Sequence, residues 1–167
     1  TRFSVENEAE IKKRFDRFYQ EQFPALQEKL TLESKSAGQV IDLLSNAGYS
    51  LVLATNPVFP REAVEARLRW INIDPAEFDL LTSYENMYYS KPDPKYYQEI
   101  ADKLEVDPDD CLMVGNDPRE DVIANKVEMK TALIEDFLIE REVSARLQPD
   151  WQGSWQEFKT LVEKNYS

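Results

Sequence analysis

The feature that most constrains this chain is an alternation. Short apolar runs ending in polar residues are each followed by an amphipathic stretch of helical period. The first clear run is Tyr49 to Thr55 (YSLVLAT), nearly all apolar, which suits a parallel strand covered on both faces. Pro60 then opens a helix carrying Val64, Leu68 and Ile71, and Phe78 to Leu81 reads as a weaker second strand. Asp93 and Pro94 are N-cap and first-turn residues for a helix with Tyr97, Ile100, Ala101 and Leu104 inward. Cys111 to Gly115 is a third strand, a helix follows from about Pro118 to Lys126, and Lys130 to Ile134 is a fourth strand. A final helix lies near Trp155 to Lys164. Strands alternating with helices of roughly 10 residues predict an α/β fold, a doubly wound parallel sheet with helices on both faces.

Upstream of this pattern, residues 5 to 30 read as an amphipathic helix, with Ile11, Phe15, Phe18 and Tyr19 at spacings of three and four and a break or kink at Pro24. The aromatic stripe reads as a packing face. Ser36 with Gln39 has the capping-box pattern, and Ala37, Val40, Ile41, Leu44 and Ala47 give one apolar face ending at a C-cap glycine, Gly48.

Composition removes several classes of function. The 167 residues suit one domain with a small appendage, and 3 Trp, 8 Tyr and 8 Phe in periodic patterns argue against disorder. A net charge of -12 opposes nucleic-acid binding, which needs clustered Lys and Arg. The single cysteine, Cys111, cannot form an internal disulfide and reads as a buried strand residue rather than a reactive thiol. No apolar stretch approaches the roughly 18 residues that cross a bilayer, and the N-terminus lacks a signal-peptide core, so a cytoplasmic protein without a membrane partner is expected.

In open parallel sheets, ligands sit at the carboxyl ends of the strands. Three polar groups stand there. Thr55-Asn56-Pro57 follows the first strand, and Thr55 offers a hydroxyl, although taken alone a β-branched strand residue followed by a turn is the plainer explanation. Ser90-Lys91-Pro92-Asp93-Pro94 places an ammonium between two prolines just before a helix, as a transferring phosphoryl group requires. Gly115-Asn116-Asp117-Pro118-Arg119-Glu120-Asp121 sets two carboxylates four residues apart at a helix start. They read either as capping groups that complement the helix dipole or as hard oxygen ligands for Mg²⁺.

Taken together and in this order, Leu51 to Asn56, Ser90-Lys91-Pro92 and Met113 through Asp121 resemble the second, third and fourth signature motifs of the haloacid-dehalogenase superfamily. The resemblance extends over about Thr31 to Ile134 and implies a Rossmann-like core at 31–167, with a helical-cap remnant at 1–30. It implies a Mg²⁺-dependent hydrolase, of phosphatase type, acting on a small phosphorylated molecule through a covalent aspartyl-phosphate. Thr55 and Asn56 would then bind phosphate, Lys91 would neutralise phosphate and nucleophile charge as a catalytic residue, and Asp117 and Asp121 would share metal coordination and lysine orientation.

The superfamily's first motif, an apolar strand ending Asp-x-Asp-x-Thr that carries the nucleophile, is absent. Asp16 lies in a charged helical context, and Asp107 to Asp110 precede a strand rather than end one. The expectation is therefore a fragment, inactive alone, or a chain whose missing central strand comes from a second polypeptide. Two departures accompany this: Asn116 stands where relatives often have Asp, and Glu128 stands where they usually have Gly, which predicts a strained turn. A non-catalytic binding or scaffolding module is the alternative. A receiver-like signalling domain fits less well, because no strand ends in an acceptor Asp.

Overall fold

Among the described residues every strand pairing is parallel, as the alternation predicts. The structure, a computed structural model, describes residues 5–29, 35–139 and 148–166. The chain forms two compact units, Thr1–Glu85 and Asn86–Ser167. The boundary expected between residues 30 and 31 lies outside the described residues.

In the first unit, helix α1 (Val5–Arg17) runs into a π-helical turn at Phe18–Gln22, and Pro24 opens a 3₁₀ turn through Lys29. The proline break falls where expected. The aromatic stripe is only partly covered: Phe15 is 60% exposed, whereas Tyr19 and Phe23 continue a string of rings that reaches Trp70, 5.0 Å from Phe23.

Helix α2 (Lys35–Asn46) already contains Ser36, so that residue lies inside the helix rather than ahead of it. Its C-terminus closes as predicted. Gly48 adopts φ +84°, its N–H donates to Ser45 O (3.0 Å), and the Tyr49 N–H donates to Leu44 O (3.1 Å), the paired bonds of a Schellman motif.

Strand β1 (Val52–Leu53) is shorter than the apolar run from which it was read, and its residues are half-buried rather than covered on both faces. Its parallel partner β2 (Leu80–Leu81) is equally short, because the chain enters it from a 3₁₀ turn at Pro75–Glu77 capped by Asp74. Helix α3 (Arg61–Trp70) lies between them in sequence and buries Val64 and Leu68 with Ile73 and Leu81. Pro60 offers no side-chain cap, and Glu85 takes its place by accepting the Arg61 N–H at 3.2 Å.

The second unit begins with the Lys91 loop and helix α4 (Pro94–Leu104), capped by Asp93, whose carboxylate accepts the Lys95 N–H at 2.9 Å. Its buried face holds Tyr96 as well as the expected Tyr97, Ile100 and Ala101, while Leu104 is only half-buried. Strands β3 (Leu112–Gly115) and β4 (Lys130–Ile134) pair in register from Leu112↔Lys130 to Gly115↔Leu133. A further strand, β5 (Trp151–Gly153), joins β4, and it has no apolar run to announce it. The Asp150 carboxylate anchors it by accepting the Thr131 N–H at 2.9 Å. Helix α5 (Trp155–Tyr166) starts at a reciprocal Ser154–Glu157 capping box.

The helix expected over Pro118–Lys126 is replaced by turns and a 3₁₀ segment, Val122–Val127. Asp117 caps this segment as it would a helix: its Oδ1 accepts the amides of Arg119 (2.9 Å) and Glu120 (3.2 Å), and its carbonyl accepts the Asp121 N–H (2.7 Å), but the turns that follow do not continue as an α-helix. Cys111 lies just ahead of β3 and is half-buried, not enclosed as expected.

Candidate functional site

Lys91 and Asp121 form the centre of the second unit's polar cluster. Lys91 Nζ lies 2.6 Å from Asp121 Oδ1, and the two side chains are only 7% and 9% exposed. The Lys91–Pro92 peptide is cis. The ammonium also lies 5.9 and 5.8 Å from the ring centroids of Tyr96 and Tyr97, within cation–π range. Tyr97 donates its hydroxyl to Glu120 O at 2.6 Å. Burial, and secondarily the Asp121 carboxylate, push that phenol well above its ordinary range, so it remains a donor.

The other oxygen of Asp121 organises the end of β3. Oδ2 accepts the Asn116 N–H (3.0 Å) and the Asp117 N–H (2.9 Å). One carboxylate therefore binds the ammonium with one oxygen and fixes the strand-end turn with the other. Asp117 is buried, 4% exposed, with its rotamer set by the amides of Arg119 and Glu120. Asn116 turns elsewhere: its side-chain amide donates to Phe137 O (2.6 Å), and its carbonyl accepts the Ile139 N–H (2.9 Å).

Thr55 and Asn56 belong to the first unit, at the carboxyl end of β1. The Thr55 N–H donates to Thr82 Oγ1 (2.9 Å), and the Thr82 hydroxyl lies 2.7 Å from Thr55 O and 3.1 Å from Leu53 O. Thr82 is fully buried and shapes the turn that presents Thr55. The sequence reading missed it. It is the first polar residue after the Leu80–Leu81 run, and the logic that singled out Thr55 applies to it equally.

The donors can be tested against a divalent cation. Mg²⁺ takes one or two carboxylates together with waters and phosphate oxygens. Asp121 has both oxygens committed, to Lys91 and to two backbone amides, so its geometry is that of a lysine-orienting residue. Asp117, buried at the same strand end, is the carboxylate that suits a cation. Among the described residues the one close group of three acidic ligands is Asp107, Asp109 and Asp110, all exposed and at the opposite, entry end of β3.

A family model described as haloacid dehalogenase-like hydrolase matches residues 4–127, most of the chain. The chain belongs to the haloacid dehalogenase-like hydrolase family. Relatives within that family include the pyrophosphatase PpaX of Bacillus velezensis, 29% identical over 125 residues that make up 74% of this chain and 56% of the relative. PpaX of Bacillus cereus is 25% identical over 124 residues, again 74% of this chain and 56% of the relative. The chain thus spans about half the length of the curated relatives it matches. Solved structures agree on the fold. A HAD phosphatase from Thermococcus onnurineus superposes with a TM-score of 0.68 at 20% identity, covering 89% of this chain and 66% of that one. CbbY from Rhodobacter sphaeroides, solved with phosphate, gives 0.66 at 21% identity over 90% and 65% of the two chains. These likenesses support the Rossmann-like, doubly wound α/β class read from the strand alternation.

Proposed function

We propose that the whole protein is a Mg²⁺-dependent phosphatase-type hydrolase acting on a small phosphorylated metabolite through an aspartyl-phosphate intermediate. The observation that carries this reading is the Lys91–Asp121 pair, a buried ammonium fixed at the carboxyl end of a parallel strand beside Asp117. Phosphoryl transfer depends on positioning and charge neutralisation more than on covalent chemistry from the protein. Lys91 would neutralise charge on the phosphoryl oxygens and on the nucleophile. Asp121 would hold Lys91 in place, Asp117 would hold the cation, and Thr55 and Asn56 would bind phosphoryl oxygens. When bound, Mg²⁺ supplies charge neutralisation at the phosphate. The name of the PpaX relatives, pyrophosphatase, supports a phosphorylated substrate and among these a phosphoanhydride.

In this reading the nucleophile lies outside the 167 residues, on a strand of the full-length protein or of another chain. Two observations support it: the sequence has no Asp-x-Asp-x-Thr motif, and among the described residues β3 pairs on one side only, with β4. A cytoplasmic location belongs to the same proposal, supported by the lone cysteine, which cannot form an internal disulfide. Among the described residues no helix is long and apolar enough to cross a membrane.

The test is to express the full-length gene product and measure hydrolysis of p-nitrophenyl phosphate with and without Mg²⁺. Turnover that needs the metal and falls by about 100-fold or more, with a measurable residual rate, in Lys91→Ala and Asp117→Ala supports the reading. Turnover indifferent to both substitutions refutes the site, and a full-length protein with no turnover favours a binding module.

A further inference from the structure

Glu99 has no role in the site as described so far, yet it grips the loop that carries Lys91. Its carboxylate accepts the Tyr88 N–H at 3.1 and 3.0 Å and the Tyr89 N–H at 3.1 Å, although it lies midway along α4. The Glu99 side chain is 10% exposed, and Lys103 holds its Oε1 at 3.2 Å. At the other end of the same loop, the Asp93 N–H donates to Ser90 O at 3.0 Å. Lys91 therefore stands on a short segment tied down before and after it.

An ordinary helix-surface explanation covers only part of this. The Glu99–Lys103 pair is a spacing-of-four ion pair with a partly exposed partner, the kind worth little by itself. Nor does the grip bury a side chain, because Tyr88 is 91% exposed. What Glu99 holds is backbone. Charge-assisted bonds to two successive amides are stronger than neutral ones and suit a loop that must not move. Asp121 fixes only the tip of the Lys91 side chain, and the stem needs its own anchor.

We infer that Glu99 is a positioning residue for Lys91, an inference that rests on the proposed role of Lys91 at the phosphate. The full-length protein is assayed with p-nitrophenyl phosphate and Mg²⁺. In Glu99→Ala, kcat falls about 10- to 100-fold while KM changes by less than about threefold, because a small misplacement of a catalytic group is costly. Glu99→Gln, which keeps an acceptor oxygen, recovers most of the loss. In a Lys91→Ala background Glu99→Ala costs nothing more, since it acts through the lysine. Full activity in Glu99→Ala and Glu99→Gln while Lys91→Ala is impaired overturns this inference alone, as do losses that multiply in the double variant. Full activity in Lys91→Ala overturns the underlying reading of the site as well.

Discussion

Asp121 lays its side chain over the spot where Gly115 would carry a Cβ. That position is 2.6 Å from Asp121 Cβ and nearer still to its carboxyl group. The glycine that ends β3 is needed for this close approach, since its φ is not in the left-handed region. Gly115→Ala must therefore push Asp121 aside, which separates it from Lys91 and from the Asn116 and Asp117 amides. A loss of about 1–3 kcal/mol in urea unfolding is expected, the usual scale of overpacking. An unchanged midpoint would show that the strand end is looser than described.

Removing the carboxylate tests the same pair from the other side. Asp121→Ala leaves the Lys91 ammonium buried without its counterion, a change that typically costs about 3–5 kcal/mol. Replacing both charges by Lys91→Met with Asp121→Asn, which keeps an oxygen for the Asn116 and Asp117 amides, is expected to be milder, because no charge is then stranded. Denaturant unfolding of the two variants decides it: similar losses would mean that the pair is better hydrated than its 7% and 9% exposure implies.

Glu128 supplies a stabilising substitution. It closes the Val122–Val127 segment at φ +72°, a conformation that glycine adopts without steric cost. Glu128→Gly should raise stability by up to about 1 kcal/mol, less whatever the freer unfolded chain takes back. For a chain of this size that is a Tm rise of about 2–4 °C at most, read by a thermal melt. A lower Tm would mean that the Glu128 side chain contributes more than its backbone strain costs.

Cys111 should react slowly. Burial, then the neighbouring Asp110 and Asp109 carboxylates, push its thiol above the ordinary 9.0. A raised value keeps the group protonated at neutral pH, so alkylation of the folded chain should lag that of the urea-unfolded chain throughout the range below 9.0. The sign for stability follows: the contribution of the protonated thiol is full below the unfolded value and is lost as pH rises through the folded one. Iodoacetamide labelling rates at several pH values check this, and equal rates in both states would contradict it.

Much of this architecture was legible because its signals are local. The proline and aspartate around Lys91, the glycine at position 48 and the apolar run Lys130–Ile134 each state their conformation in a few adjacent residues. The misreadings share a different cause. Strand β5 is held by Asp150 reaching Thr131, nineteen residues away, so nothing within Trp151–Gly153 announces it. The segment after Asp117 has helical spacing and is capped by Asp117 as a helix would be, so nothing local marks its continuation as a 3₁₀ segment. The site followed the same rule. Lys91 and Asp121 were recognisable singly, whereas their 2.6 Å contact across thirty residues, and the grip of Glu99 on the Tyr88 and Tyr89 amides, exist only in the folded chain.

The most direct test of the central claim is a crystal structure of the full-length protein with Mg²⁺ and a phosphate mimic such as vanadate. The account predicts Lys91 Nζ within hydrogen-bonding distance of a mimic oxygen, an Asp117 oxygen about 2.0–2.1 Å from the cation, and Asp121 still paired with Lys91. A mimic bound away from Lys91, or a cation held by Asp121 with the lysine released, would contradict it.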